Sequence, residues 1–193
     1  MKLIEKKHRQ VEAKMTSMFG SLTPKQLTTQ EEIIELINSD QSIEDLFTFA
    51  NVFSKKLEMT FGITIHKAAY EFSCHYHNTI INMAKNWFEW SHDKNVRIVL
   101  GTTDHFKIEL KQSAAGEVEL WHIDVFNKNQ GIGTRVIDLF MDTAEQLNFV
   151  VKLVPCSQGE PSYEDFFKKT IKLRQWYQDL GFETVKNSAY LTF

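Results

Sequence analysis

Nine residues, Phe126-Asn127-Lys128-Asn129-Gln130-Gly131-Ile132-Gly133-Thr134, constrain this chain more than any other stretch. A strand-like run, Val118 to Phe126, leads into them, and an amphipathic run, Ile132 to Leu147, leaves them. A strand, a polar glycine turn and a helix in that order make an anion site. The free N–H groups of the first helical turn and the positive end of the helix dipole point at whatever sits there.

Three glycine motifs compete for the turn. A phosphate loop of the nucleoside-triphosphate type needs Gly-Lys-Ser/Thr, and Gly133-Thr134-Arg135 does not supply it. A dinucleotide fingerprint needs a third glycine, and Gly133 is followed by Thr134, Arg135 and Val136. What remains is Lys128-x-x-Gly131-x-Gly133 after Ile123-Asp124-Val125, with Tyr177-x-x-x-Gly181-Phe182 further on and a buried strand between. In these two motifs, over about Val96 to Phe193, the chain resembles the GNAT superfamily of acetyl-CoA-dependent N-acetyltransferases.

The resemblance implies an α/β fold with a mixed, mostly antiparallel central sheet and flanking helices, and the pattern of the first half sets an N-terminal helical region before them. It implies acetyl-CoA as co-substrate and an amine of a small molecule or protein as acceptor. The backbone N–H groups from Asn129 through Gln130, Gly131, Ile132 and Gly133 to Thr134 would ring the pyrophosphate, beside Lys128. Pantetheine would run along Ile123 to Val125, and Tyr177 would lie near the thioester sulfur as the acid. Lys128 stands where the family carries arginine or glutamine, and Thr170 stands where it often carries a pantetheine-binding asparagine. These departures keep open a second reading, a GNAT-fold binding or assembly module with little or no catalysis.

Amide formation needs a neutral amine, and an alkyl ammonium ion titrates near pH ~10, so a base must take a proton. The resemblance makes Glu119 the first candidate, at a strand position where some family members carry a glutamate, and His122 is the second by the range in which imidazole titrates. Simple alternation puts Glu119, Trp121, Ile123 and Val125 on one strand face and Leu120, His122, Asp124 and Phe126 on the other.

The remainder is organised by pattern. Residues 1–93 read as a helical region and 94–193 as the acyl-CoA-binding domain. The expected helices are residues 2–19, one begun by Thr23-Pro24, one behind the capping box Thr29 to Glu32, one capped by Ser42, and a long one from about Thr64 to Trp90. Phe61 to Ile65 could instead be a short strand. Glu71, Cys74, His75 and His77 sit close in sequence, but on a helix they divide between two faces and make a poor metal site. Trp87, Phe88 and Trp90 read as core packing or as a wall of the acceptor pocket. From Val96 onward the expected order is strand, strand, strand, helix, strand, helix, strand, strand.

A net charge of -3 argues against a nucleic-acid partner held by bulk electrostatics. No apolar run approaches a membrane span, the N-terminus lacks a signal-peptide core, and the two cysteines, Cys74 and Cys156, form no paired spacing. A soluble cytoplasmic protein is the expectation, with a homodimer left open.

Overall fold

A computed structural model describes residues 21–75, 95–102, 104–126, 130–157, 162–186 and 188–193. The fold is mixed α/β, an eight-stranded sheet in the order β1-β2-β3-β4-β5-β6-β8-β7. The strands are β1 (Ser21–Leu27), β2 (His66–His75), β3 (Asn95–Gly101), β4 (Phe106–Gln112), β5 (Glu117–Val125), β6 (Val150–Leu153), β7 (Glu183–Thr184) and β8 (Leu191–Thr192). Only β5 and β6 pair in parallel; every other neighbouring pair is antiparallel. The helices among the described residues are α1 (Gln30–Ile37), α2 (Gln41–Phe61), α3 (Ile132–Leu147) and α4 (Tyr163–Asp179). None of them is long and apolar enough to cross a membrane.

The second half of the chain follows the expected order of elements. The first half departs from it. Thr23 and Pro24 lie inside β1 and begin no helix. β1 pairs only with β2, at the sheet's edge. An edge strand tolerates proline because the missing N–H need not serve a second neighbour. Residues 66–75 are strand, not the start of a long helix, because β2 is held on both sides, by β1 and by β3. Ladder bonds to two neighbours override a three-to-four spacing that was legible only locally. The helix-face argument about Glu71, Cys74 and His75 falls with that helix; among the described residues no group of His, Cys, Asp and Glu gathers to hold a metal. Residues 2–19, His77, Trp87, Phe88 and Trp90 lie outside the described residues. The register His66↔Gly101 to Phe72↔Asn95 joins β2 to β3, so the expected boundary at 93/94 falls between two paired strands of one sheet.

The capping box at α1 forms as its sequence implies, with Thr29 Oγ1 accepting from the Glu32 N–H at 3.2 Å. The cap of α2 is Asp40 rather than Ser42, and its carboxylate accepts from both the N–H and the hydroxyl of Ser42 at 2.8 Å. Ser42 is buried instead, where its hydroxyl accepts from Gln112 Nε2 on β4 at 2.7 Å.

The core lies where α2 and α3 meet each other and the sheet. Phe49 and Phe53 of α2 and Phe140 of α3 are each fully buried. Their ring centroids stand 5.1 Å (Phe49–Phe140) and 5.5 Å (Phe53–Phe140) apart in edge-on geometry, as aromatic quadrupoles prefer. Phe106, Ile108 and Leu110 of β4 supply the sheet's side of this core. It anchors α3 against α2, and the glycine turn stands at the N-terminus of the helix so held.

Candidate functional site

β5 carries the site because it loses a neighbour halfway along. It pairs with β6 only from Glu117↔Val150 to Leu120↔Leu153. β6 ends there, and Val154 and Pro155 follow; a proline has no N–H to extend the ladder. β5 continues to Val125 on β4 alone, and the Phe126 N–H still donates to His105 O at 3.0 Å. The β6-facing edge of residues 121–125 therefore has no strand partner among the described residues.

A bulge accompanies the opening. Glu109 pairs with His122 but Leu110 pairs with Leu120, so Trp121 is the extra residue. One inserted residue reverses the alternation beyond it. Ile123 and Val125 therefore lie across from Ile108 and Phe106, on the core face with Leu120. His122 and Asp124 lie across from Glu109 and Lys107, on the same face as Glu119, which pairs with Lys111. The expectation that His122 and Glu119 take opposite faces is corrected: the bulge puts both base candidates on one face.

At the end of β5 the chain turns into α3 through Gly131, whose φ of 69° lies in the left-handed region that favours glycine. No side chain among the described residues caps α3. The other three helices are capped by Thr29, Asp40 and Ser162. The first i→i−4 bond of α3 runs from the Arg135 N–H to Gly131 O, so the N–H groups of Ile132, Gly133 and Thr134 lie ahead of the ladder. Gly133 lies between two side chains: a Cβ there would stand at ordinary contact distance, 3.7 Å from Val125 Cγ2 and 3.8 Å from the Trp176 ring. The end of β5, the start of α3 and the end of α4 thus converge around one glycine. Trp176 was not singled out from the sequence; its place one residue before Tyr177 was the available sign. Gln130 is exposed and Ile132 buried, while Lys128 and Asn129 lie outside the described residues.

The two turn glycines should answer substitution differently. Gly131→Ala meets open space but must hold a left-handed φ, so we expect a loss of about 1–2 kcal/mol in a urea melt. Gly133→Ala meets only ordinary van der Waals contacts and should melt with the parent. Equal losses would mean the turn is not held in this conformation.

Tyr177 is buried on the last turn of α4, its ring 4.7 Å from that of Trp176 and 5.7 Å from that of Phe182. Burial pushes its phenol well above the ordinary range, so it stays protonated. Its hydroxyl makes no hydrogen bond among the described residues. Thr170, one face along the same helix, accepts from the Ser157 N–H at 3.2 Å, which pins the segment after β6 to α4.

Glu119 is 5% exposed and its Oε2 lies 3.4 Å from Lys111 Nζ. It opens on a recess of about 230 Å³ shared with Ser113, Lys152, Val185 and Tyr190. Burial, and then the charge of Glu119, raises the Tyr190 phenol against the opposing pull of Lys152. Trp121 lies beside them, with Arg97 Cζ 4.4 Å and Lys111 Nζ 4.6 Å from its ring centroid. Neither Tyr190 nor the Trp121 cluster was visible as a site in the sequence, because register across three strands brings it together.

No family model matches the chain, and no curated protein matches it by sequence. Among solved structures it is similar to the anti-CRISPR protein AcrVA5, at 21% identity over 46% of this chain and 90% of that one, with a TM-score of 0.38. It is similar to Ard1 from Thermoplasma volcanium, at 14% identity over 61% and 78% of the two chains and a TM-score of 0.33. A Bacillus subtilis acetyltransferase in complex with CoA aligns with 90% of this chain and 98% of its own, at 14% identity and a TM-score of 0.27.

Proposed function

We propose that the protein is an N-acetyltransferase of the GNAT type, moving an acetyl group from acetyl-CoA to an amine of a small molecule or protein. The observation that carries this reading is the uncapped α3 N-terminus on left-handed Gly131, set at the open end of β5. The backbone amides from Gln130 to Thr134, with Asn129 and Lys128 before them, would hold the pyrophosphate. Glycine at 131 and 133 keeps side chains out of its approach. The free edge of β5 at Ile123 and Val125 would bond the pantetheine amides as a strand would.

Along β5 from Val125 back to Glu119 the strand spans roughly 17–20 Å at about 3.3 Å per residue, the order of an extended pantetheine arm. The anion site and the base candidate would then stand at opposite ends of one arm. In the reaction the acceptor nitrogen attacks the thioester carbonyl carbon and the C–S bond breaks. Glu119, or His122 on the same face, takes the proton from nitrogen. An N–H near Ile123 stabilises the negative oxygen. Tyr177 donates its hydrogen bond to the departing sulfur. Thr170 keeps the segment after β6 in place through Ser157.

Thermal denaturation with and without acetyl-CoA tests the cofactor. Ligand at a hundred times its dissociation constant stabilises by about 2.7 kcal/mol, which for a chain of this length raises Tm by roughly 5–10 °C. An unmoved Tm at millimolar acetyl-CoA would rule the reading out.

A further inference from the structure

We propose that α4 is a self-complementary docking face that pairs the protein with a second copy of itself. Tyr163, Phe167 and Ile171 are 83%, 57% and 66% exposed. They recur every four residues, which on a helix makes one slowly drifting stripe. The stripe is continuous: the Tyr163 and Phe167 rings stand 6.3 Å apart. Along its outer flank run Glu164, Lys168 and Lys172, all exposed, with Glu164 and Lys168 paired at 2.5 Å.

The spacing selects a register. Consider two antiparallel α4 helices related by a two-fold axis level with Lys168. At about 1.5 Å per residue, Tyr163, Phe167 and Ile171 lie about 7.5 Å before, 1.5 Å before and 4.5 Å beyond the axis. Symmetry reverses these heights in the second copy, so the six apolar side chains alternate at steps of about 3 Å. The same axis keeps both outer flanks on one side. Glu164 of each copy then falls level with Lys172 of the other, giving two ion pairs across the interface, while the two Lys168 side chains, each held to its own Glu164, come level at the axis. An axis level with Phe167 would instead set Phe167 on Phe167 and Tyr163 against Ile171, and would leave Glu164 opposite Thr170.

The flank also chooses the occupant. A lipid surface rich in anionic headgroups would favour lysines alone, and Glu164 at the N-terminal end of the stripe's border opposes it. The three side chains offer roughly 400 Å² of apolar surface per copy, within the range of the largest, often functional, patch on a single protein. Counted over two copies with the charged flanks, this is the low end of specific interfaces. The dimer should therefore be reversible with concentration.

Sedimentation equilibrium of the full chain tests the proposal without reference to catalysis. The expected result is a monomer–dimer equilibrium, abolished by Phe167→Glu and by Ile171→Glu with the thermal melt unchanged. Glu164→Lys alone and Lys172→Glu alone should each weaken dimerisation about tenfold, and the double variant should restore it. A monomer at every concentration overturns the proposal, as does a dimer that Phe167→Glu leaves intact or a double variant no tighter than the singles. A monomer that sediments with phosphatidylserine vesicles overturns it too, and assigns the stripe to lipid.

Discussion

Tyr177→Phe is expected to lower kcat about 100-fold while leaving the KM for acetyl-CoA within about twofold and Tm unchanged. The two halves of that expectation have one cause. The phenol is buried, and its hydroxyl has no hydrogen-bond partner among the described residues. The hydroxyl oxygen is not one of the sealed, unpartnered polar atoms of the described fold, so its removal costs little, and phenylalanine, which keeps the ring and its contacts with Trp176 and Phe182, should fold about as well.

The direction of the Tyr177 shift also limits what it could do in the proposed reaction. Burial raises the phenol, whereas an ordinary thiol titrates near ~8.5. Complete transfer of the phenol's proton to a thiolate would be uphill in water. A desolvated site disfavours both anions, so on the proposed mechanism Tyr177 would contribute a short hydrogen bond to sulfur as negative charge builds on it. A variant that fell in kcat and Tm together would make Tyr177 a packing residue. One that kept full kcat would remove it from the chemistry.

How much of this was legible before the structure depends on which bonds made each element. α1 is announced by its own residues, since Thr29 and Glu32 cap each other within one turn. α4 is likewise announced by Ser162 and Asp165 and ended by Gly181. Those bonds are local, and local patterns report them. β1 and β2 are made by ladders to distant partners. Ile65, Ala69 and Phe72 carry a helical spacing that nothing nearby contradicts, and Pro24 suggests a helix start until its place on an edge strand is known.

The site divides in the same way. Gly131 marks the turn because its left-handed backbone favours glycine, while Gly133 leaves its Cβ position against Val125 and Trp176. The face shared by Glu119 and His122 depends on a single bulge at Trp121, and a one-residue insertion leaves no periodic trace in nine residues of strand. Tyr190, two strands away from Glu119 in the sheet, reaches the same recess only through the β6–β8 pairing.

The other large effect should come from the core that holds the turn. Phe140→Ala is expected to cost about 3–5 kcal/mol, a large part of the 5–15 kcal/mol typical of a whole domain. Tm should fall by roughly 6–20 °C. Phe140 is fully buried and its ring meets both Phe49 and Phe53 edge-on, so alanine leaves a cavity that two helices would have to close together. Met59→Ala, on the same α2 helix but 86% exposed, should stay within about 0.5 kcal/mol of the parent. The effect reaches the site because Phe140 lies about two helical turns beyond Gly133 on α3. Ligand binding and folding are therefore linked: acetyl-CoA at a hundred times its dissociation constant should return about 2.7 kcal/mol to the Phe140→Ala variant, most of what the cavity removes. A chemical-denaturation series with and without acetyl-CoA measures both terms on one protein. If Phe140→Ala melts with Met59→Ala, the aromatic junction does not anchor α3. If it melts early and acetyl-CoA does not recover it, the cofactor does not bind the folded state that this junction supports.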